Sequence, residues 1–168
     1  SRVVASVDMV STPPDPTDQY GHGMHVGGII GGNGNFSNGA RTGIAPGVNL
    51  VNVKVSDSYG MIYASDLVKS LQWVYDNRLT YNLKVVNISM NSTGAESYQT
   101  SAIDAAVEIL WNAGIVVVVS AGNSGSGIVF PPANDPFVIT VGAADDMGTP
   151  NINDDVMASF SVYGTTED

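Results

Sequence analysis

The sequence predicts an α/β fold around a mostly parallel sheet, and three observations predict it. Short runs rich in β-branched residues recur along the chain and read as strands. Two segments between them repeat apolar residues at three and four, the period of a helix with one buried face. The run Ile115–Ser120 is apolar without alternation, as expected of a parallel strand covered on both faces. Strands alternating with helices place those helices on a parallel sheet. At 168 residues the chain suits one domain, 1–168, with a core of ordinary size.

The elements follow in order. Residues 3–10 read as a strand, and 11–20, with three prolines, as a loop. Residues 21–30 mix glycines with Val26, Ile29 and Ile30 and can form a short helix that each glycine weakens. A long loop rich in Gly and Asn runs from 31 to 47, and 48–55 alternate as a strand. Residues 65–78 read as a helix, with Ser65 as cap, Asp66 in the first turn, and Leu67, Val68, Leu71, Val74 and Tyr75 on one face. Lys84–Met90 is a strand. The segment 101–111 is a second helix, with Ser101 as cap, Asp104 three residues on, and Gly114 just past the end. Ile103, Ala106, Val107 and Leu110 form its stripe. Strands at 115–120, 137–142 and 157–162 complete the pattern, without internal repeat or linker.

Composition excludes several classes. The chain is 43% hydrophobic and 13% charged, unlike a disordered chain. It has no cysteine, so no disulfide framework or thiolate metal site is possible. The net charge is −10, and all six basic residues lie in 1–84, where six acids balance them. The remainder carries the whole −10. No basic patch is available for DNA, RNA or an anionic membrane. The longest apolar run, 114–121, is too short to span a bilayer. No charged start followed by an apolar stretch opens the sequence.

In parallel sheets, sites form at the carboxyl ends of strands. Four segments fall there: 21–25, 56–62, 87–92 and 120–125. The only two histidines, His22 and His25, are in the first, and histidine is the usual general base near neutral pH. Zinc is the rival for this pair, but the i, i+4 spacing and intervening Glu of HExxH are missing. The run Gly122–Gly127 follows a strand, yet its spacing is not GxGxxG, which argues against a nucleotide site.

Taken together, these segments resemble the subtilisin-like serine proteases (subtilases). Gly21-His-Gly-Met-His-Val-Gly-Gly-Ile-Ile-Gly-Gly32 is similar to the family's histidine motif, with Met24 and Gly27 where the family usually has Thr and Ala. Val86–Met90 is similar to the strand lining its substrate cleft, and Val118–Gly125 to its oxyanion-hole segment. Gly43–Gly47, Pro136–Ala143 and Ala158–Ser161 resemble its structural signatures, in family order over nearly the whole length.

The resemblance implies a three-layer, doubly wound, mostly parallel sheet and a secreted endopeptidase that needs no cofactor. It makes His22 the catalytic base. It makes His25 a buried structural residue and Asn123 the side-chain donor to the oxyanion. Ser89, Met90 and Asn91 would face Ser120, Ala121 and Gly122 across the pocket for the residue before the scissile bond. Gly60, Met61 and Ile62 would form the other cleft edge, and a protein or peptide substrate would add as a strand between the edges. These edges are usually Gly-rich, so Asn91, Ser92, Met61 and Ile62 should narrow the groove or alter subsite preference.

Two family motifs do not occur. There is no Asp-Thr-Gly or Asp-Ser-Gly, and neither Asp8 nor Asp18 has that context. Gly-Thr-Ser-Met-Ala is also absent, and Gly164-Thr-Thr166 has no serine. The resemblance thus implies an incomplete fold, a partial catalytic domain with one triad member, weak or inactive alone. The alternative is a pseudoprotease or peptide-binding module using the same cleft. Loss of the central aspartate strand would leave sheet edges open to repacking or a homodimer. Calcium could bind at Asp145, Asp146, Asp154 and Asp155; Gly31–Thr42 offers only Asn and Ser oxygens from its side chains.

Overall fold

The structure is a computed structural model describing residues 2–125 and 127–166. The chain divides into two compact units, Ser1–Ser70 and Leu71–Asp168, with the boundary inside a helix.

In the first unit, β1 (Val3–Asp8) pairs in parallel with β2 (Leu50–Lys54). The register sets Asp8 beside Lys54, and the two form an ion pair at 3.7 Å. Between them lies α1 (His22–Gly31), a helix despite its glycines. Its last carbonyls have no partner within the helix. The segment after the loop supplies them: Gly43, Ile44 and Ala45 donate to the carbonyls of Gly32, Ile29 and Ile30 at 2.8, 3.0 and 2.8 Å. Only glycine fits at 43, since a Cβ there would lie 2.6 Å from the Gly32 nitrogen. This explains chemically why Gly43-Ile-Ala follows the histidine helix.

The helix α2 (Ala64–Asn77) begins one residue before the predicted start. Ser65 is therefore inside it and not its cap; the Tyr63 carbonyl accepts from Asp66 and Leu67 instead. The predicted stripe is buried at Leu67, Leu71 and Val74 and half-buried at Val68 and Tyr75. Ser70 shares that stripe because its hydroxyl donates to the Asp66 carbonyl at 2.6 Å, leaving no unpaired group.

In the second unit, β3 (Val85–Ile88), β4 (Val116–Ser120) and β5 (Ile139–Val141) form a parallel sheet in that order. The helix α3 (Ala102–Asn112) packs on β4. Val107 and Leu110 of α3 and Val117 of β4 are fully buried. Each such side chain contributes about 1.5–3 kcal/mol by leaving water. Ser101 caps α3 by accepting from the Asp104 amide. At the other end Gly114 (φ +82°) donates to Trp111 and Ile115 donates to Leu110, a Schellman ending. The continuous apolar run predicted a strand covered on both faces. Instead, Val117 and Val119 are buried while Val116 and Val118 are half-buried, because α3 covers one face.

The predicted last strand is shorter than expected. Only Val156–Met157 (β7) is extended, pairing antiparallel with Ala144–Asp145 (β6). Beyond it the Ser161 amide donates to the Ala158 carbonyl, so the chain turns. The parallel strands thus lie in two sheets, with β2 paired only to β1 and β3 only to β4 among the described residues.

Candidate active site

Ile88 and Val119 are register partners, so β3 and β4 end side by side and their following segments face each other. A cleft of about 380 Å³ opens there, lined by Ser89, Met90, Asn91, Ser120, Ala121, Gly122 and Asn123. Every second-unit residue assigned to the substrate cleft from the sequence lines this one place. Asn91 spans it. Its Nδ2 donates to the Ser120 carbonyl at 2.8 Å, and the Ser120 hydroxyl donates to its Oδ1 at 3.0 Å. Gly122 has φ +106°, and a Cβ there would come within 3.1 Å of Val162. Both the backbone and the space select glycine.

The loop carrying Asn123 is tied on both sides. Ala121 donates to Val141, Gly125 to Phe160, and Val162 back to Gly122, at 2.8, 2.8 and 3.1 Å. Asn123 itself is exposed, and among the described residues nothing hydrogen-bonds its side chain. This is a donor on a fixed loop, free to meet an incoming oxygen. The Gly127 amide is also taken, by Tyr163 at 3.1 Å. The Gly125 and Gly127 amides of the glycine-rich run are thus both occupied, and Ser126 within it lies outside the described residues.

In the first unit, His22 is the first residue of α1 and is exposed. Gly21 before it has φ +91°. The free amides of this helix start are taken by Asp18, which accepts from Gly21 and Met24 at 2.7 Å each. Burial pushes against the charge of Asp18, but these backbone donors outweigh it and hold its carboxyl below the ordinary range. Gly60 (φ +83°) fits against the ring of Tyr20, which a Cβ would meet at 2.8 Å. Asp57 fixes this edge by accepting from the Tyr59 and Met61 amides. Met61 is exposed and Ile62 half-buried. His25 corrects an expectation: it is exposed, not buried, because α1 buries only Gly31, against Leu50.

Three of the four acids considered for calcium serve their own turn. Asp145 and Asp146 accept from the amides of Met147 and Gly148, and Asp154 from the Thr149 hydroxyl. Among the described residues no group of three or more His, Asp or Glu is placed to hold a metal ion.

Three features escaped the sequence. One is Lys54, buried and donating to the Asp15 carbonyl and Gln19 Oε1 at 2.8 and 2.9 Å. Another is the Asn91–Ser120 clamp. The third is a buried acid group beneath α3: Asp104 and Asp135 are 0% and 4% exposed. For Asp104 a polar residue beside the apolar stripe of α3 was a partial signal, whereas Asp135 lies in a Pro-flanked turn and gave none.

Parallel strands followed in the first unit by a glycine-flanked histidine helix and in the second by a tied Ala-Gly-Asn loop are the elements of a subtilisin-like fold. The solved structure of "Sphericase" aligns over 95% of this chain and 52% of its own with a TM-score of 0.81 and 26% identity. "S41 Psychrophilic Protease" aligns over 95% and 52% with a TM-score of 0.79 and 32% identity. The Subtilase family model matches residues 2–168, and the chain belongs to that family. It is 37% identical to "Serine protease AprX" of Bacillus subtilis (strain 168), over 98% of this chain and 39% of the relative. It is 35% identical to "Subtilisin DY" of Bacillus licheniformis, over 97% and 55%. The chain therefore spans about two fifths to just over half of these curated relatives.

Proposed function

We propose that the protein carrying this chain is a secreted serine endopeptidase that cleaves peptide bonds through an acyl-enzyme, without a cofactor. The observation that carries the reading is the cleft at the ends of β3 and β4, with the amide of Asn123, which has no hydrogen-bond partner among the described residues, on its tied loop. That amide would stabilise the negative oxygen that develops only in the transition state. His22 would take the proton of a serine and return it to the leaving amine. In this reading the serine and the orienting aspartate lie outside these 168 residues. Neither motif occurs within them, and the relatives extend well beyond the matched stretch.

The walls Ser89–Asn91 and Ser120–Gly122 would receive the residue before the scissile bond, with Gly60–Ile62 as the other edge for an extended peptide. The Asn91 side chain takes volume from that pocket and favours a small residue there. Secretion rests on relatives' names, among them "Extracellular serine proteinase" of Thermus sp. (strain Rt41A). Among the described residues no helix is long and apolar enough to cross a membrane.

The test is labelling of the whole protein with a fluorophosphonate, which reacts with activated serines. Labelling and peptide turnover should both disappear in His22→Ala while the melting temperature holds. Unchanged turnover in His22→Ala overturns the role of His22. Peptide binding with neither labelling nor turnover in the wild type would make the protein a peptide-binding module instead.

A further inference from the structure

Asp104 sits in the first turn of α3 and is 0% exposed, yet neither carboxylate oxygen has a hydrogen-bond partner. The sequence pattern offered one. Ser101 and Asp104 are placed as a capping box, in which the acid would accept from the Ser101 amide. That amide is already used, donating to the Ser97 carbonyl at 3.0 Å. The Ser101 hydroxyl lies near enough to favour ionisation but outside hydrogen-bonding geometry.

Facing Asp104 are other acids. Asp135, in the turn after Pro132, uses Oδ1 to accept from the Phe137 amide at 2.7 Å, while its buried Oδ2 has no partner. Glu108, one helical turn beyond Asp104, lies near enough to Asp135 to disfavour its charge. Glu96 approaches from the preceding loop, where its carbonyl accepts from Asn134 Nδ2 at 2.8 Å. The Asn134 Oδ1 is a further buried acceptor without a donor. The charged groups acting on Asp104 are thus Asp135, Glu96 and Glu108, all acids, with no lysine, arginine or histidine among them. Four buried oxygens need donors, and among the described residues none hydrogen-bonds them.

We propose that Asp104, Glu108 and Asp135 form a proton-binding site, in which solvent-derived protons bridge the carboxyls and fasten α3 to the 131–135 turn. A carboxylic acid is a donor, so a proton on Asp104 and one between Asp135 and Glu108 turn orphan acceptors into hydrogen-bonded pairs. A shared proton also removes the like-charge repulsion that two ionised carboxylates in one site would suffer. The electrostatics agree: burial first, then the neighbouring acids, push Asp104 up to about 6, and Asp135 shifts upward for the same reasons. A metal fits less well, since no trio of acids here is placed to hold one.

The turn backs the cleft, because Pro131 accepts from the Ser92 amide at 2.7 Å and Phe130 lines the cleft floor. The site therefore makes the cleft wall firmest in mild acid. A group raised from 3.8 to about 6 on folding contributes fully below 3.8, and the contribution is lost as pH rises through about 6.

The experiment is carboxyl carbon NMR titration of the full chain, with melting curves at about pH 5 and about pH 8 for wild type and Asp104→Asn. Asp104 should titrate near 6, and wild type should melt several degrees lower at the higher pH. Asp104→Asn, whose amide is a permanent donor, should flatten that dependence. A midpoint for Asp104 in the ordinary carboxylate range overturns the proposal without requiring any variant to fold. So does a parallel pH dependence in a folded Asp104→Asn. A rise in melting temperature at the higher pH on adding calcium, lost in Asp104→Asn, would assign the site to a cation instead.

Discussion

Two aspartates of the first unit and two of the second are used in opposite ways. In the first, Asp8 accepts from the amides of Val10, Ser11 and Asp15, and Asp18 from those of Gly21 and Met24. Burial opposes their charge, yet the amides win and hold both carboxyls below the ordinary range. In the second unit, Asp104 and Asp135 have orphan oxygens, and burial pushes both upward. The supply of donors decides, not depth alone. A turn or a helix start has spare amides to offer, whereas at the start of α3 the Ser101 amide is already committed to Ser97.

The pH signatures should therefore oppose each other. The contribution of Asp8 and Asp18 is present above 3.8 and lost as pH falls through their lower folded values. That of Asp104 is lost as pH rises through about 6.

Asp8→Ala should have the largest effect on stability. It strips three amides of their acceptor and takes the ionic partner from buried Lys54. A loss of about 1–3 kcal/mol is expected in urea unfolding near neutral pH. A change within error would show that the amides do not depend on this carboxylate. Asp18→Ala comes next, at about 1–2 kcal/mol for a lost helix-start acceptor. Asp18→Asn, which keeps an accepting oxygen, should recover most of it; equal losses in both variants would point to charge alone.

Ser101→Ala should remove a cap worth about 1 kcal/mol. It should also move the Asp104 titration further upward, because that hydroxyl favours the ionised form. A downward movement would contradict the placement of the hydroxyl. The smallest effect on stability is expected for Asn91→Gly, whose consequence is in the cleft. Turnover of peptides with Phe before the scissile bond should rise relative to Ala, and an unchanged ratio would mean the clamp does not set pocket size.

The parts legible in the sequence were those decided locally. Ser101 and Gly114 end α3 by rules that involve four or five neighbouring residues, and the stripe of α2 follows from period alone. The cleft residues were legible because Ala-Gly-Asn and Asn-Ile-Ser sit at strand ends that the parallel register brings together. What was not legible depends on groups far apart in sequence. Asn91 and Ser120 are 29 residues apart. The orphan state of Asp104 depends on Asp135, and on a Ser101 amide already committed to Ser97. Asp18 escaped notice as a helix anchor because it stands three residues before the Gly21 cap, not at it. Ser65 misled because a capping residue type beside Asp66 says nothing about where the Tyr63 carbonyl already begins the helix.

The most direct test of the functional account is Asn123→Ala in the whole protein, assayed with a peptide substrate. Removing one oxyanion donor lowers kcat by roughly 100- to 1,000-fold, a figure that comes from a subtilisin itself. A fall of that order is expected with KM and melting temperature little changed, because among the described residues nothing hydrogen-bonds this amide. An unaltered kcat in a folded Asn123→Ala protein would contradict it.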